Sequence, residues 1–397
     1  MKNTGVISMG IKTPIIREGD DLAKIVADSV LDAMESDVPF HRDGIMYAEG
    51  CTELENNDII GITESIVARA QGNYVTIDEI AEDIKAKFNN PDTIVVLYPI
   101  YSRNRFSMIL KAIARAAAKR VVIVMPDFDE VGNPRGVNPW TGVDIEQYYK
   151  DICTNENKNV SIYQYNYEFY EEDLNLSDDK TGFLYCGLHD YEEWFEQYCP
   201  PEERVNETYK HLTLANICSD KCEWGLLGSN KASEERLKLF PNKVKAQKFV
   251  EEVQQLIQDT IKERQNTDIN VHVLVYGDGC FHSPSNGKLG SSIWEFADPV
   301  VSPAYTSGLE GSPNEIKIKG FADDKYKNLN GKELENAIKE EIRNKDKNLV
   351  GKMDSFGTTP RKLTDLIGSL CDLTSGSGDR GTPVIIIKHY FNNFGSE

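Results

Sequence analysis

Short runs of apolar residues alternate with amphipathic stretches along most of the chain, and this alternation is what most constrains the fold. The apolar runs 94–99 and 121–125 flank a segment, 104–118, whose apolar residues recur at helical spacing. Short apolar runs are typical of buried strands, whereas a recurrence every three or four residues is typical of an amphipathic helix. The sequence therefore predicts an α+β fold of mixed α/β layers.

The same pattern predicts further elements on both sides of this segment. Gly19-Asp20-Asp21 is a typical capping sequence, and it precedes an amphipathic stretch at 22–34. Other predicted helices are 77–88, 242–264, 325–349 and 363–371, and other predicted strands are 5–10, 58–63, 161–165, 182–186, 270–276 and 383–388. A loop rich in Gly, Ser and Pro is expected between 277 and 312.

Charge and hydropathy exclude several classes of function. The 397 residues carry 44 basic and 64 acidic side chains, and the net charge of −20 disfavours nucleic acid and anionic lipid as general partners. No stretch is apolar enough to span a membrane and the N-terminus lacks a signal-peptide core, so we expect a cytoplasmic protein without a membrane partner. The cysteines are expected to be reduced, and the lone C-x-x-x-C at Cys218 and Cys222 favours structural thiols over zinc.

A change in composition near residue 127 suggests three segments. Residues 1–126 and 226–397 are predicted to form the two parts of one core, and residues 127–225 an inserted αβ lobe. Within that lobe, residues 140–200 are rich in aromatic side chains but show weak periodicity. These side chains either build a small core of their own, which is the favoured interpretation, or form a platform for an aromatic substrate.

Basic residues cluster in one part of this acidic chain. No acidic residue lies between Asp92 and Asp127, whereas this interval contains Arg103, Arg105, Lys111, Arg115, Lys119 and Arg120. Arg103-Asn104-Arg105 follows a predicted strand and opens a predicted helix, where free N–H groups and guanidinium groups favour a phosphate or a carboxylate. For the stretch from Lys111 to Arg120, an exposed helix face paired with acids elsewhere is an equal alternative.

Two loops beside predicted strands have the composition of ligand sites. The glycine-rich stretch 375–382 can present successive backbone N–H groups to an anion, although a plain helix-to-strand turn explains it equally well. Asp278 follows the predicted strand 270–276 and is placed to hold Mg²⁺ or Mn²⁺, with Glu295 and Asp298 as further acidic candidates. The alternative for Asp278 is a turn residue that caps its own backbone.

A third candidate lies at 64–72, where a predicted strand runs into a short helical stretch. Ser65 and Arg69 are four residues apart there, so both side chains can face one ligand. This stretch also resembles part of a known family, the glutamate ligases that extend the deazaflavin coenzyme F-420 with γ-linked glutamates. Residues 66–72 are similar to the family's V-x-S-K-A-E-G segment, with Arg69 at the lysine position.

Three other segments carry the same resemblance. The turn Thr13-Pro14-Ile15-Ile16, which continues as E-G-D-D-L, is similar to the family's nucleotide-contacting turn. Residues 273–278 resemble a strand that ends in a metal-binding aspartate, and residues 363–382 resemble the family's carboxyl-terminal helix and glycine loop. The resemblance extends in patches over 1–125 and 265–390.

The resemblance implies a two-lobed ligase-like fold with an additional αβ insertion, and a homodimer. It implies a carbon–nitrogen ligase in which GTP or ATP, with Mg²⁺ or Mn²⁺, phosphorylates a coenzyme F-420-like or folate-like carboxylate acceptor before L-glutamate attacks the acyl phosphate. We expect catalytic roles for Asp278, Arg69 and Arg103, and metal ligation by Asp278, Glu295 and Asp298. The expected nucleotide contacts are Thr13, Pro14, Ile15, Ile16, Glu64, Ser65, Arg69, Asn104, Gly279, Ser375, Gly376, Ser377, Gly378, Asp379, Gly381 and Thr382.

Three positions depart from the family pattern. Tyr101 stands where the family has a second metal-binding aspartate, three residues before Asn104. Gly279 replaces the threonine that follows the first metal-binding aspartate, and Arg69 replaces a lysine. The alternative function is therefore a non-catalytic nucleotide- or metabolite-binding protein on the same scaffold.

Overall fold

A computed structural model of the chain provides the coordinates. The structure describes residues 5–34, 41–42, 45–46, 53–99, 101, 105–129, 133–164, 176, 180–187, 210–277, 280–281, 295–296, 300–301, 309–310, 315–346, 348–349, 351–355, 361–375 and 380–395. Helices and strands alternate within these ranges, so the predicted mixed α/β character is confirmed. Among the described residues, no helix combines the length and the apolar composition needed to cross a bilayer.

The secondary-structure elements are numbered here in chain order. The strands are β1 Ile7–Ile11, β2 His41–Arg42, β3 Ile45–Met46, β4 Ile59–Thr63, β5 Tyr74–Thr76, β6 Thr93–Leu97, β7 Arg120–Met125, β8 Asn159–Gln164, β9 Thr181–Tyr185, β10 Lys210–Thr213, β11 Ser229–Lys231, β12 Arg236–Leu239, β13 His272–Tyr276, β14 Cys280–Phe281, β15 Glu295–Phe296, β16 Val300–Val301, β17 Leu309–Glu310, β18 Arg361–Lys362 and β19 Val384–Lys388. The longer helices are α1 Leu22–Met34, α2 Glu64–Ala70, α3 Ile77–Lys87, α4 Phe106–Ala116, α5 Ile145–Asn155, α6 Lys243–Gln265, α7 Gly331–Asn344 and α8 Leu363–Ser375. Shorter helical turns lie at Leu214–Asn216, Ile318–Gly320, Phe321–Lys325 and Met353–Ser355.

The chain divides into two compact units. The first comprises residues 1–70, 243–278 and 296–397, and the second comprises residues 71–242 and 279–295. These limits differ from the segments 1–126, 127–225 and 226–397 expected from composition. The second unit begins earlier because β6 and β7 pair with β9 and β8 in one sheet, and it ends later because β12 pairs with β5.

The first unit is built on a five-stranded mixed sheet with the order β1-β19-β4-β13-β16. β4 and β13 are parallel, whereas β19 runs antiparallel to both β1 and β4. The carboxyl ends of β1, β4 and β13 therefore lie at the same edge of the sheet as the start of β19. We call this edge the strand-end edge, and the other, where β4 and β13 begin, the amino edge.

Helices cover both faces of this sheet. On one face, α1 and α6 pack on alternate residues of the strands, including Ile60, Val273 and Ile386. On the other face, α8 contacts β1, β19, β4 and β13 and packs on a second cluster that includes Ile59, Leu274 and Tyr276. The strands are apolar on both sides for this reason, since neither face is open to water.

The second unit contains a five-stranded parallel sheet with the order β10-β9-β6-β7-β8. The chain passes from β6 through α4 to β7 and through α5 to β8, and then returns to the other side of β6 as β9. Strand order thus reverses at β6, the arrangement of a doubly wound α/β sheet. A separate three-stranded sheet, β11-β12-β5, precedes α3, which begins at a capping box formed by Thr76 and Glu79.

Candidate functional site

The strand-end edge of the first unit brings together four segments that are far apart in the sequence. Register pairs Ile11 with Val384, Val384 with Ile62, and Thr63 with Tyr276. The residues just beyond these positions are Thr13–Ile16 after β1, Glu64–Ser65 after β4, Gly277 after β13, and Gly381–Thr382 before β19. Each of these segments except Gly277 contains nucleotide contacts expected from the resemblance, so the sheet order places the described ones at one edge.

The turn after β1 is extended and partly exposed. Ile16 is buried in the core with α1 and α6, whereas the side chain of Ile15 is 81% exposed. The Oγ1 atom of Thr13 donates to the Pro14 carbonyl at 3.0 Å. An exposed isoleucine beside a buried one gives this turn an apolar surface that faces solvent at the strand-end edge.

Helix α2 begins directly at the end of β4. The Glu64 side chain is buried at 1% exposure, and Ser65 is half-buried. Arg69 lies in the last turn of the helix and is exposed. The end of α2 is fixed by the Gly19 N–H, which donates to the Ala70 carbonyl at 2.9 Å. Gly19 belongs to the predicted capping turn before α1, which the structure confirms, because Asp21 Oδ1 accepts from the Lys24 N–H.

The end of the glycine loop packs closely against β1. A Cβ atom on Gly10 would lie 2.8 Å from the Cβ atom of Thr382, so only glycine fits there without displacing the threonine. Thr382 Oγ1 donates to the carbonyl of Ser375, the last residue of α8, at 3.2 Å. Because the Thr63 N–H also donates to the Pro383 carbonyl at 3.0 Å, the loop is anchored at both its ends.

Several predicted site residues lie outside the described residues. These are Asp278, Gly279, Asp298, Arg103, Asn104 and the residues Gly376, Ser377, Gly378 and Asp379, and of Glu295 only the backbone is described. Their predicted roles remain predictions. Within the described ranges, no group of three or more His, Cys, Asp or Glu side chains is arranged to hold a metal ion.

Tyr101, in the second unit, occupies the position where the resemblance places a second metal aspartate. Its side chain is 3% exposed, and its hydroxyl donates to the Pro126 carbonyl. Its backbone N–H donates to Asp129 Oδ2 at 2.8 Å, and the same carboxylate accepts from the backbone and side chain of Asn133. Burial raises the pKa of the Tyr101 hydroxyl well above its usual range. This position therefore serves packing and hydrogen bonding.

Arg105 has a structural role that the sequence did not reveal. Its Nη2 atom donates to the Leu226 carbonyl at 2.8 Å and to the Leu227 carbonyl. A guanidinium bound to two backbone carbonyls ties the start of α4 to a distant turn of the same unit. The prediction of an anion site at Arg103–Arg105 therefore rests on Arg103, which is not among the described residues.

The remaining basic residues of the cluster pair with acids, which supports the exposed-face alternative. Lys111 Nζ lies 2.6 Å from Glu235 Oε1, and Lys119 Nζ lies 2.6 Å from Asp92 Oδ2. Arg115 binds Glu156 at 3.1 Å and also Asp78, and the hydrogen bond to Glu156 raises its pKa. These pairs neutralise the positive potential that the sequence suggested for this stretch.

The described cysteines are buried free thiols. Cys218 and Cys222 lie in one turn of the second unit, and burial raises the pKa of Cys218 to about 12. A buried thiol with a raised pKa is a poor nucleophile and a poor metal ligand. The structural interpretation of the C-x-x-x-C pair is therefore favoured.

A mixed α/β sheet whose strand ends and loops converge at one edge is typical of enzymes that bind small ligands there. The chain is similar to the protein family described as F420-0:Gamma-glutamyl ligase, whose model matches residues 10–389. It belongs to this family, and it is a ligase that forms a γ-glutamyl amide bond and depends on a nucleotide. A comparison with curated proteins finds no matching sequence.

Proposed function

We propose that the enzyme joins L-glutamate to a carboxylate acceptor, either coenzyme F-420-like or folate-like, through an acyl phosphate. The two-lobed ligase-like arrangement implied by the resemblance is part of this proposal. Family membership supports glutamate ligation. The observation that carries the finer proposal is the convergence of Thr13–Ile16, Glu64–Ser65 and Gly381–Thr382 at the strand-end edge.

The nucleotide binds at this edge of the first unit. The exposed Ile15 offers an apolar contact for a base, and the anchored loop at 375–382 offers backbone N–H groups for phosphate oxygens. The exposed guanidinium of Arg69 supplies a mobile positive charge for a phosphate or for a carboxylate of glutamate. Asn104 and Arg103 are proposed as further contacts from the second unit.

The reaction needs activation because a carboxylate is a poor electrophile. Transfer of the γ-phosphoryl group depends on positioning and on neutralisation of charge, and it needs no covalent help from a side chain. Holding the amine of glutamate beside the acyl phosphate then supplies up to about 7–11 kcal/mol of the barrier. The amine attacks the acyl carbon, inorganic phosphate leaves, and the amide bond forms.

A divalent cation, Mg²⁺ or Mn²⁺, is proposed at Asp278 with Glu295 and Asp298 as further ligands. When bound, such an ion neutralises phosphate charge and orients the transferred group. The described side chains contain no ligand cluster that tests this set, so no step of the reaction is assigned to the ion. GTP and ATP are both compatible with the proposal, and a cytoplasmic homodimer is proposed from the resemblance.

The test combines ligand binding with turnover. GTP or ATP with Mn²⁺ is expected to raise the melting temperature, and phosphate release is expected only when L-glutamate and a suitable acceptor are both present. Asp278→Asn is expected to abolish metal-dependent turnover with the fold intact, whereas Asp268→Asn, an exposed acid of the same unit, is the matched control. Binding without turnover for any acceptor tried would favour the non-catalytic alternative. Turnover by Asp278→Asn with normal metal dependence would refute the assignment of Asp278.

A further inference from the structure

Tyr276 is a buried polar residue at the strand-end edge that the sequence pattern gave no reason to select. It is the last residue of β13, and its side chain is 2% exposed. Register places it beside Thr63, one residue before α2 begins, and the next residue along the chain is Gly277. Its side chain is therefore rooted where two of the predicted site segments begin.

The Tyr276 side chain lies along one stripe of α8. A Cβ atom on Gly368 would be 3.8 Å from the Cβ atom of Tyr276, so the helix crosses directly over the start of this side chain. Cys371, one turn further, shares the space above Gly61 with the Tyr276 ring, because a Cβ atom on Gly61 would lie 2.3 Å from Cys371 Sγ and 3.4 Å from Tyr276 Cδ1. Residues 368, 371, 372 and 375 recur at helical spacing, so they form one face.

The hydroxyl of Tyr276 lies near the end of this stripe. Burial raises its pKa, the carboxylates of Asp372 and Glu64 act in the same direction, and the hydrogen-bonding influence of the Ser375 side chain opposes them. Ser375 falls short of ordinary hydrogen-bond geometry with this hydroxyl, and its Oγ atom donates to the Asp372 carbonyl at 2.9 Å. The Ser375 oxygen therefore still has a lone pair with which it can accept.

We propose that Tyr276 is a positioning residue for the nucleotide site, whose hydroxyl holds the start of the glycine loop at Ser375 in place relative to the start of α2 at Glu64. This inference rests on the proposed function, because it assumes that the loop 375–382 contacts phosphate. A phenylalanine would fill the same apolar space against α8. A buried hydroxyl costs free energy unless it is hydrogen-bonded, so its presence here is best explained by a partner at the junction.

The first test removes only the hydroxyl. Tyr276→Phe is expected to raise the KM for the nucleotide about three- to tenfold, with kcat changed by less than about twofold, because a loosened loop weakens binding. Tyr390→Phe is the matched control, since Tyr390 packs on the same core cluster at the amino edge. Its KM is expected to equal that of the wild type. An unchanged KM in Tyr276→Phe would overturn the proposal.

The second test separates positioning from a purely structural role. Ser375→Ala and the double variant Tyr276→Phe/Ser375→Ala complete a cycle, and the double variant is expected to have the KM of the more impaired single variant. Fully additive effects would overturn the proposal, because they would show that the two hydroxyls act independently.

A third measurement does not depend on activity. In the protein without nucleotide, Tyr276→Phe is expected to speed amide hydrogen exchange at 374–375 and 380–382 about tenfold, with no change at 388–392. Equal exchange in the two proteins would overturn the proposal. If no acceptor supports ligation in the wild type, the proposed function fails, but hydrogen exchange still decides whether Tyr276 holds the loop.

Discussion

Lys388 Nζ lies 2.7 Å from Asp58 Oδ2, and both side chains are only 2% exposed. The pair closes the amino edge of the first unit's sheet, the end opposite the candidate site. Lys388 also donates to the Glu53 carbonyl, and Asp58 also accepts from the Glu55 N–H at 2.8 Å. The buried charges are thus hydrogen-bonded on both sides, which links the end of β19 to the segment before β4.

Removal of one partner of this pair is expected to destabilise the protein without changing catalysis. Asp58→Asn leaves the Lys388 ammonium buried without its counter-charge, at a cost of about 3–5 kcal/mol in the free energy of unfolding. Urea denaturation measures the loss, and Asp28→Asn, which breaks the exposed Lys24–Asp28 pair, is expected to cost less than about 0.5 kcal/mol. A nucleotide KM that rises with Asp58→Asn would show that the two edges of the sheet are coupled, contrary to this expectation.

Gly10→Ala tests the packing between β1 and the glycine loop. The added methyl group would lie 2.8 Å from Thr382 Cβ, so Thr382 must move. We expect a loss of about 1–3 kcal/mol in stability and a raised nucleotide KM, because Thr382 is hydrogen-bonded to Ser375 at the other end of the loop.

The control for this substitution is Gly5→Ala, since a Cβ atom on Gly5 would meet nothing within 4 Å. Thr382→Gly should rescue the stability of Gly10→Ala, because it removes the atoms that clash. Loss of stability with an unchanged nucleotide KM would indicate that this end of the loop does not contact the nucleotide.

Arg103 and Arg105 are expected to respond differently to truncation. Arg103→Ala should weaken nucleotide or acidic-substrate binding more than tenfold, which corresponds to about 1.4 kcal/mol. Arg105→Ala should instead lower the free energy of unfolding by about 1–3 kcal/mol and leave affinity unchanged, because its guanidinium binds the carbonyls of Leu226 and Leu227. Calorimetry and urea denaturation of both variants separate the two roles. Equal affinity losses would mean that Arg105 also contacts the ligand.

Local signals explain how much of the fold the sequence predicts. Helix α1 is predicted to the residue, because its capping turn and its apolar spacing both lie within the segment itself. The short strands β5, β11 and β12 are not predicted, since three or four residues carry no clear period and their pairing depends on distant partners. The unit boundaries depend on the same long-range pairing, which composition does not report.

The site shows the same division. The resemblance selects Thr13–Ile16 and the glycine loop, and strand order then explains why they lie at one edge. Charge alone suggests an anion site at Arg105, but a sequence does not show that two backbone carbonyls accept from its guanidinium. Tyr276 is missed because a tyrosine at the end of an apolar run is indistinguishable from an ordinary core residue until α8 is placed over it.

Glu79 is expected to make the stability of the second unit depend on pH. The hydrogen bond from Lys221 Nζ, at 2.6 Å, and the bond from the Thr76 N–H lower the pKa of Glu79 from 4.5 to about 2. A carboxylate whose pKa is lower in the folded state stabilises the fold above the unfolded pKa, and this contribution is lost as the pH falls from about 4.5 towards about 2.

Because the Glu79 side chain is 46% exposed, solvent screening limits its contribution to about 1 kcal/mol at most. Glu79→Gln should therefore be less stable than the wild type at pH 6, and the difference should shrink steadily as the pH is lowered through this window. Lys221→Met should show the same pH dependence, since it removes the main cause of the lowered pKa. Urea denaturation at several pH values measures both, and a stability difference that stays constant from pH 6 to pH 3 would assign the loss to helix capping by Glu79 instead of to its charge.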